Sequence, residues 1–180
     1  MLDIEKKIAE NTLKKLHNKS WEKLTLEDVL DKNIKKQKLI NSKIDLLKIL
    51  NRYVDNQLIQ NTKTLESSST KDMLFEVLMA RFDILQKNKV SFLKIFEAFK
   101  KSPKKIIKLF PSFLESMIVT AELAKFNVNG LGGTVRLKGL FIVYFITFYS
   151  WIDDKTSSLE KTMNALDKNL DRAEKLSKYL

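Results

Sequence analysis

Four glycines and two prolines are all that punctuate 180 residues. A chain that folds through strands needs turn residues about every 8–12 positions. Gly and Pro are also the residues that stop helices. Their scarcity therefore predicts an all-α fold of long helices. Apolar spacing divides the chain into about nine of them. Ile4, Ile8, Leu13 and Leu16 mark a first helix over 3–18. Thr25 with Asp28 reads as a capping box, Asp standing in for Glu, and opens a short helix near Leu26 that buries Leu26, Val29 and Leu30. Asn33 can end it, and Ile34 and Leu39 anchor a third helix of about two turns. Ser42 caps a fourth, with Ile44, Leu47, Leu50, Val54 and Leu58 inward, running to about Thr62.

The polar stretch TKTLESSST then separates a head, residues 1–62, from a body, residues 70–180. In the body, Thr70 caps a helix with Phe75, Leu78, Met79, Phe82 and Leu85 on one face. Another, over 90–101, carries Phe92, Ile95, Phe96 and Phe99 and stops at Pro103. Pro111 sits at the start of the next, over 112–126. NVNGLGG reads as a loop before the apolar run GLFIVYFITFYSWI, residues 139–152. A last helix repeats Leu159, Met163, Leu166, Leu170 and Ala173 like a heptad.

Composition excludes several classes. At 44 % apolar the chain is not globally disordered. Without cysteine it has no disulfide, thiolate catalyst or Cys-based metal site. Its first residues carry acids and lack the apolar core of a secretory signal. The fourteen-residue run 139–152 is shorter than the roughly 20 residues a bilayer span needs, so a cytoplasmic protein with no integral membrane segment is expected. His17 stands without a nucleophile or orienting acid, Asp153–Asp154 reads as a pair of caps rather than a metal site, and GLGG lacks a dinucleotide fingerprint. No enzyme, cofactor or metal is expected.

The net charge of +11 points to an anionic partner. Lys32, Lys35, Lys36, Lys38 and Lys43 cluster around the short third helix. Short helix, turn, short helix is the outline of a helix-turn-helix head, in which the second helix offers polar side chains to DNA. Lys35, Lys36, Gln37 and Lys38 suit that role, Gln pairing with adenine and Lys with guanine or phosphate. A solvated lysine face is the alternative. A second cluster, Lys100, Lys101, Lys104, Lys105 and Lys108, fits an acidic lipid surface or plain solvation.

SWEKLTLEDVL resembles the first-to-second helix passage of the TetR family of bacterial regulators. INSKIDLLKILNRYVDNQL is similar to the passage from the third to the fourth helix, through Ile40, Asn41, Ser42, Lys43, Leu46 and Leu47. DMLFEVLMARFDILQKNKVSFLKIF and YSWIDDKTSSLEKTMNALDKNLDRAEKL resemble TetR-like proteins of alphaproteobacterial type, a subgroup similar to the TetR-fold lipid-binding accessory proteins of coenzyme Q biosynthesis. DKNI stands where the family has an Ala-Gly turn, and the third helix is about one turn short, which removes about 5 to 6 Å of reach.

The resemblance implies a TetR-like fold, a small head on a larger ligand-binding and dimerisation body. It gives Lys35, Lys36, Gln37 and Lys38 the DNA groove and Lys43 a phosphate. It also implies a homodimer through the last two helices, with Phe141, Tyr144, Phe148, Trp151, Met163, Leu166 and Leu170 at the interface. The residues agree on their own terms, since a helix apolar all round needs burial against a second copy, the rival being burial within one chain. The Phe- and Met-rich interior, including Phe75, Met79, Phe82, Phe96, Phe113, Met117 and Phe145, is ordinary core or the lining of a cavity for a hydrophobic small molecule, a lipid or quinone. Three functions stay open: a DNA-binding regulator sensing a hydrophobic ligand, a lipid- or quinone-binding accessory protein with a degenerate head, and a dimeric remnant with neither role.

Overall fold

The computed structural model describes residues 1–30, 40–66, 68–100 and 103–177. Among them the chain is all-α, with eight helices and no strand. These are α1 (Asp3–Asn18), α2 (Leu26–Val29), α3 (Lys43–Asn61), α4 (Thr70–Gln86), α5 (Lys89–Lys100), α6 (Pro103–Leu123), α7 (Gly130–Ile152) and α8 (Glu160–Ser177). The short helix expected around Ile34–Leu39 lies outside the described residues.

Two compact units share these helices. The first is Met1–Gln57 with Ile84–Phe113; the second is Leu58–Asp83 with Leu114–Leu180. The first unit thus contains α5 and the start of α6 as well as the N-terminal helices, a grouping that apolar periodicity along the chain does not report. Its core joins Ile8, Leu16, Trp21, Leu24, Val29, Ile40, Leu46 and Leu50 to Phe99 and Leu109. Polar links hold the same helices. Ser91 Oγ donates to the Leu13 carbonyl at 2.8 Å. Lys94 Nζ donates to the carbonyls of Leu16 and His17, both at 2.7 Å. These carbonyls belong to the last turn of α1, which has no intrahelical donors left for them, so an ammonium is the favoured partner. Asn51 donates to the carbonyl and hydroxyl of Ser112, at 2.8 and 3.2 Å, tying α3 to α6.

The second unit packs α4 and the end of α6 with α7 and α8. Trp151, Phe82, Met117, Leu159 and Leu166 are fully enclosed. Phe82 stacks on Tyr144 with centroids 5.5 Å apart and meets Trp151 at 6.5 Å. Arg81 is buried as well, donating to Ser116 Oγ at 2.6 Å and lying over the Tyr144 ring. A polar pair runs between α7 and α8, where Asn169 donates to Thr147 Oγ1 at 3.1 Å.

Helix boundaries differ from the sequence reading at three places. Pro103 begins α6 instead of only ending α5, and Pro111 lies inside α6. A proline at a first helical position loses no hydrogen bond. Pro111 does remove one, to the Ile107 carbonyl, at a place where both residues are exposed. GLGG is not a loop but the first turn of α7. Gly130 takes a left-handed φ of 71°, and a Cβ on Gly133 would lie 2.0 Å from the Val128 carbonyl oxygen. Those two glycines let the chain turn and then let the new helix rest on the strand of backbone behind it. Ser69, not Thr70, bonds to the start of α4: its Oγ accepts from Asp72 N–H at 3.1 Å and donates to the Asp72 carboxylate at 2.6 Å.

Candidate functional site

Two regions carry functional potential, one in each unit. In the first, α2 and α3 flank the lysine-rich stretch. The Thr25–Asp28 capping box forms as expected, Thr25 accepting from Asp28 N–H and Asp28 from Thr25 N–H. The Lys19 ammonium donates to the same Asp28 carboxylate at 2.6 Å. That bond, ahead of the Thr25 donors, holds the Asp28 pKa down to about 2. On the other side, Ser42 caps α3, accepting from Asp45 N–H at 3.3 Å. The Asp45 carboxylate accepts in return from the Asn41 and Ser42 amides, at 3.1 and 3.0 Å. Burial works to raise the Asp45 pKa, but the Ser42 hydroxyl, donating to the carboxylate at 2.9 Å, and then the two amides outweigh it and bring it below the usual carboxylate value.

The chain on either side of the lysine-rich stretch is anchored in one core. Val29, at the end of α2, is 2 % exposed and Ile40, just before α3, is 7 % exposed. The expected DNA-reading residues Lys35, Lys36, Gln37 and Lys38 lie outside the described residues. Lys43 is described. Its Nζ donates to the carbonyls of Trp21 at 2.5 Å and Glu22 at 3.2 Å, and sits 5.1 Å from the Trp21 ring centroid. It ties the start of α3 to the turn before α2, a bracing role that its residue type did not reveal.

In the second unit the seven residues expected at a two-copy interface occupy three settings. Trp151, Leu166 and Leu170 are buried within their own chain, Phe141, Tyr144 and Phe148 are half-buried, and Met163 is exposed. The outward face of α7 is a neighbouring one: Val135, Ile142, Phe145, Ile146 and Tyr149, each between 41 and 55 % exposed. Their spacing places them along one side of the helix. Phe145 rings pack on Phe141 and on Tyr149 within that side. Next to it an open groove of about 410 Å³ runs along α8, with Ile146 and Ser150 on one wall and Lys161, Lys168 and Arg172 on the other. The residues 132–152 within α7 are long and apolar enough to cross a membrane by length and composition, because the helix starts before the apolar run. Only 22 % of an 18-residue apolar stretch within it is buried.

The residues expected around a ligand cavity divide between the units. Phe96 and Phe113, half-buried, belong to the first. In the second, Phe82 and Met117 are packed in the core, Phe75 and Met79 are half-buried, and Phe145 faces outward.

Asp153 and Asp154 behave unalike. Asp153 is exposed and lies 3.9 Å from Lys161. Asp154 is buried, and it joins the ends of α7 and α8. Its Oδ1 accepts from Thr156 N–H and Oγ1 at 3.0 and 2.6 Å. Its Oδ2 accepts from Thr162 N–H and Oγ1, both at 2.8 Å. Burial pushes its pKa up, yet the four donors prevail and hold it well below the usual carboxylate range. No group of acids or histidines among the described residues is arranged to hold a metal. His17 is exposed.

No protein-family model matches the chain, and no curated protein matches it.

Proposed function

We propose that the protein is a TetR-like regulator that binds DNA as a homodimer through its N-terminal unit. The observation that carries this reading is the double anchoring of the lysine-rich stretch. Val29 and Ile40 enter one core on either side of residues 31–39, whose sequence carries Lys32, Lys35, Lys36 and Lys38 and a single acid, Asp31. A reading element needs such a support, since base contacts require a fixed register. The exposed apolar face of α7, around Ile142, Phe145, Ile146 and Tyr149, supports the dimer, because a soluble monomer rarely leaves so continuous a patch uncovered.

A second reading, a TetR-fold accessory protein that binds a lipid or quinone and no DNA, draws on two other details. Lys43 is engaged with backbone carbonyls rather than free to meet a phosphate, and the Asp45 carboxylate occupies the amides at the start of α3. A phosphate would meet negative charge there.

Titration of duplex DNA by fluorescence anisotropy over a range of salt separates the two. The regulator binds with a steep salt dependence, and replacing Lys35, Lys36 and Lys38 by Ala lowers the slope by about one per lost phosphate contact. Equal binding by wild type and the triple variant removes the head from the account.

A further inference from the structure

The first half of α6 carries an outward face that neither DNA reading nor dimerisation uses. Ile107 is 73 % exposed, more than any other large hydrophobic side chain described, and Phe110 is 44 % exposed. They are three residues apart and so share one side of the helix. The opposite side does the packing, with Leu109 and Ser112 buried and Ser112 bonded to Asn51. Ile107 is thus surplus to the core of this unit. Lys108 beside it is exposed, as is Lys100 at the end of α5. Between Glu97 and Glu115 the sequence has five lysines and no acid, and the first of them, Lys100, pairs with Glu97 at 3.1 Å.

Plain solvation accounts for the lysines and leaves Ile107 unexplained. A nucleic acid would meet the lysines and gain nothing from an isoleucine. A symmetric contact with a second copy would set one lysine cluster against another. An anionic bilayer uses both features: its headgroups attract the lysines, and its acyl boundary takes the apolar side chains. We propose that this face of α6 docks the protein on an anionic lipid surface, with Ile107 and Phe110 entering the headgroup–acyl boundary, Lys108 beside them meeting a lipid phosphate and the positive charge of the 97–115 sequence drawing the segment to the headgroups. The proposal is independent of the DNA-binding reading.

The test is sedimentation of the full chain with vesicles of phosphatidylcholine, alone or mixed with phosphatidylglycerol. Binding is expected only with the anionic lipid and weakens as salt rises. Each lysine of the cluster changed to Ala lowers the affinity roughly fivefold, and Ile107→Ser with Phe110→Ser lowers it roughly tenfold or more. Ile107→Ser alone should melt with the wild type, because that side chain is 73 % exposed. Ile107→Trp gives a second readout, an emission blue shift with anionic vesicles and none with neutral ones. Undiminished binding by the double variant, equal binding to both vesicle types, or an unshifted Trp overturns the proposal. So does a lysine cluster that affects DNA affinity and leaves vesicle binding unchanged.

Discussion

Asp154→Ala is expected to destabilise the second unit by an amount that follows from its four donors. The Thr162 side is buried, with Thr162 itself at 0 % exposure, so its amide loses its acceptor and finds no water. That loss costs about 2 kcal/mol. Thr156 is exposed, and water replaces most of what its amide and hydroxyl lose. That side costs about 1 kcal/mol. The sum, about 3 kcal/mol, lowers the melting temperature of a chain this long by roughly 6–12 °C. Asp154→Asn keeps one acceptor oxygen and turns an NH2 toward the other pair of donors, so it is destabilised too. The sign of the pH dependence follows from the depressed pKa. The contribution is complete above the unfolded carboxylate value of about 4 and is lost as pH falls below it. Urea unfolding followed by circular dichroism at neutral and acid pH measures all three. Variants within about 0.5 kcal/mol of wild type at neutral pH would refute the assignment of Asp154 as the joint between α7 and α8.

Further outcomes follow from other contacts. Gly133→Ala drives a Cβ to 2.0 Å from the Val128 oxygen, so the start of α7 must shift, at about 2 kcal/mol or more; thermal melting measures it. Lys94→Met keeps the side-chain stem but removes the ammonium from the end of α1, and costs about 1 to 2 kcal/mol in urea unfolding. The Asp28 carboxyl, held at about 2 first by Lys19, should titrate by NMR well below a free aspartate, and its support of α2 is lost as pH falls from about 4 toward that value. Lys19→Ala moves that titration up. Ile142→Lys with Ile146→Lys places charge on the outward face of α7, and sedimentation velocity is expected to find a dimer for the wild type and a monomer for this variant.

Much of the architecture was legible because it depends on local chemistry. The scarcity of Gly and Pro forecast helices throughout, and Thr25–Asp28 and Ser42 marked their starts correctly. Proline and glycine misled where tertiary setting overrides propensity. Pro111 is tolerated inside α6 because it lies at an exposed position and the bond it removes is that of the exposed Ile107, and GLGG is helical because Gly133 permits a close backbone approach. The facing of α7 was illegible for a different reason. A helix that is apolar on every side has no periodicity to tell Trp151, which is enclosed, from Ile142 and Tyr149, which are not. The association of α5 with α1 is likewise a long-range fact, expressed in Ser91 and Lys94 reaching the α1 carbonyls. Neither a serine nor a lysine in an amphipathic helix signals such a partner. The role of Lys43 was hidden in the same way, since a lysine at a helix start reads as a phosphate anchor until its carbonyl partners are known.

The central claim, a dimer whose two heads read DNA, is tested most directly by selecting binders from a random duplex pool at near-physiological salt and sequencing them. The account predicts an enriched inverted repeat, its half-sites spaced by about one helical turn or a multiple of it, that disappears when Lys35, Lys36 and Lys38 are replaced by Ala. A pool that stays random after repeated rounds, with only weak binding that salt removes, would contradict it.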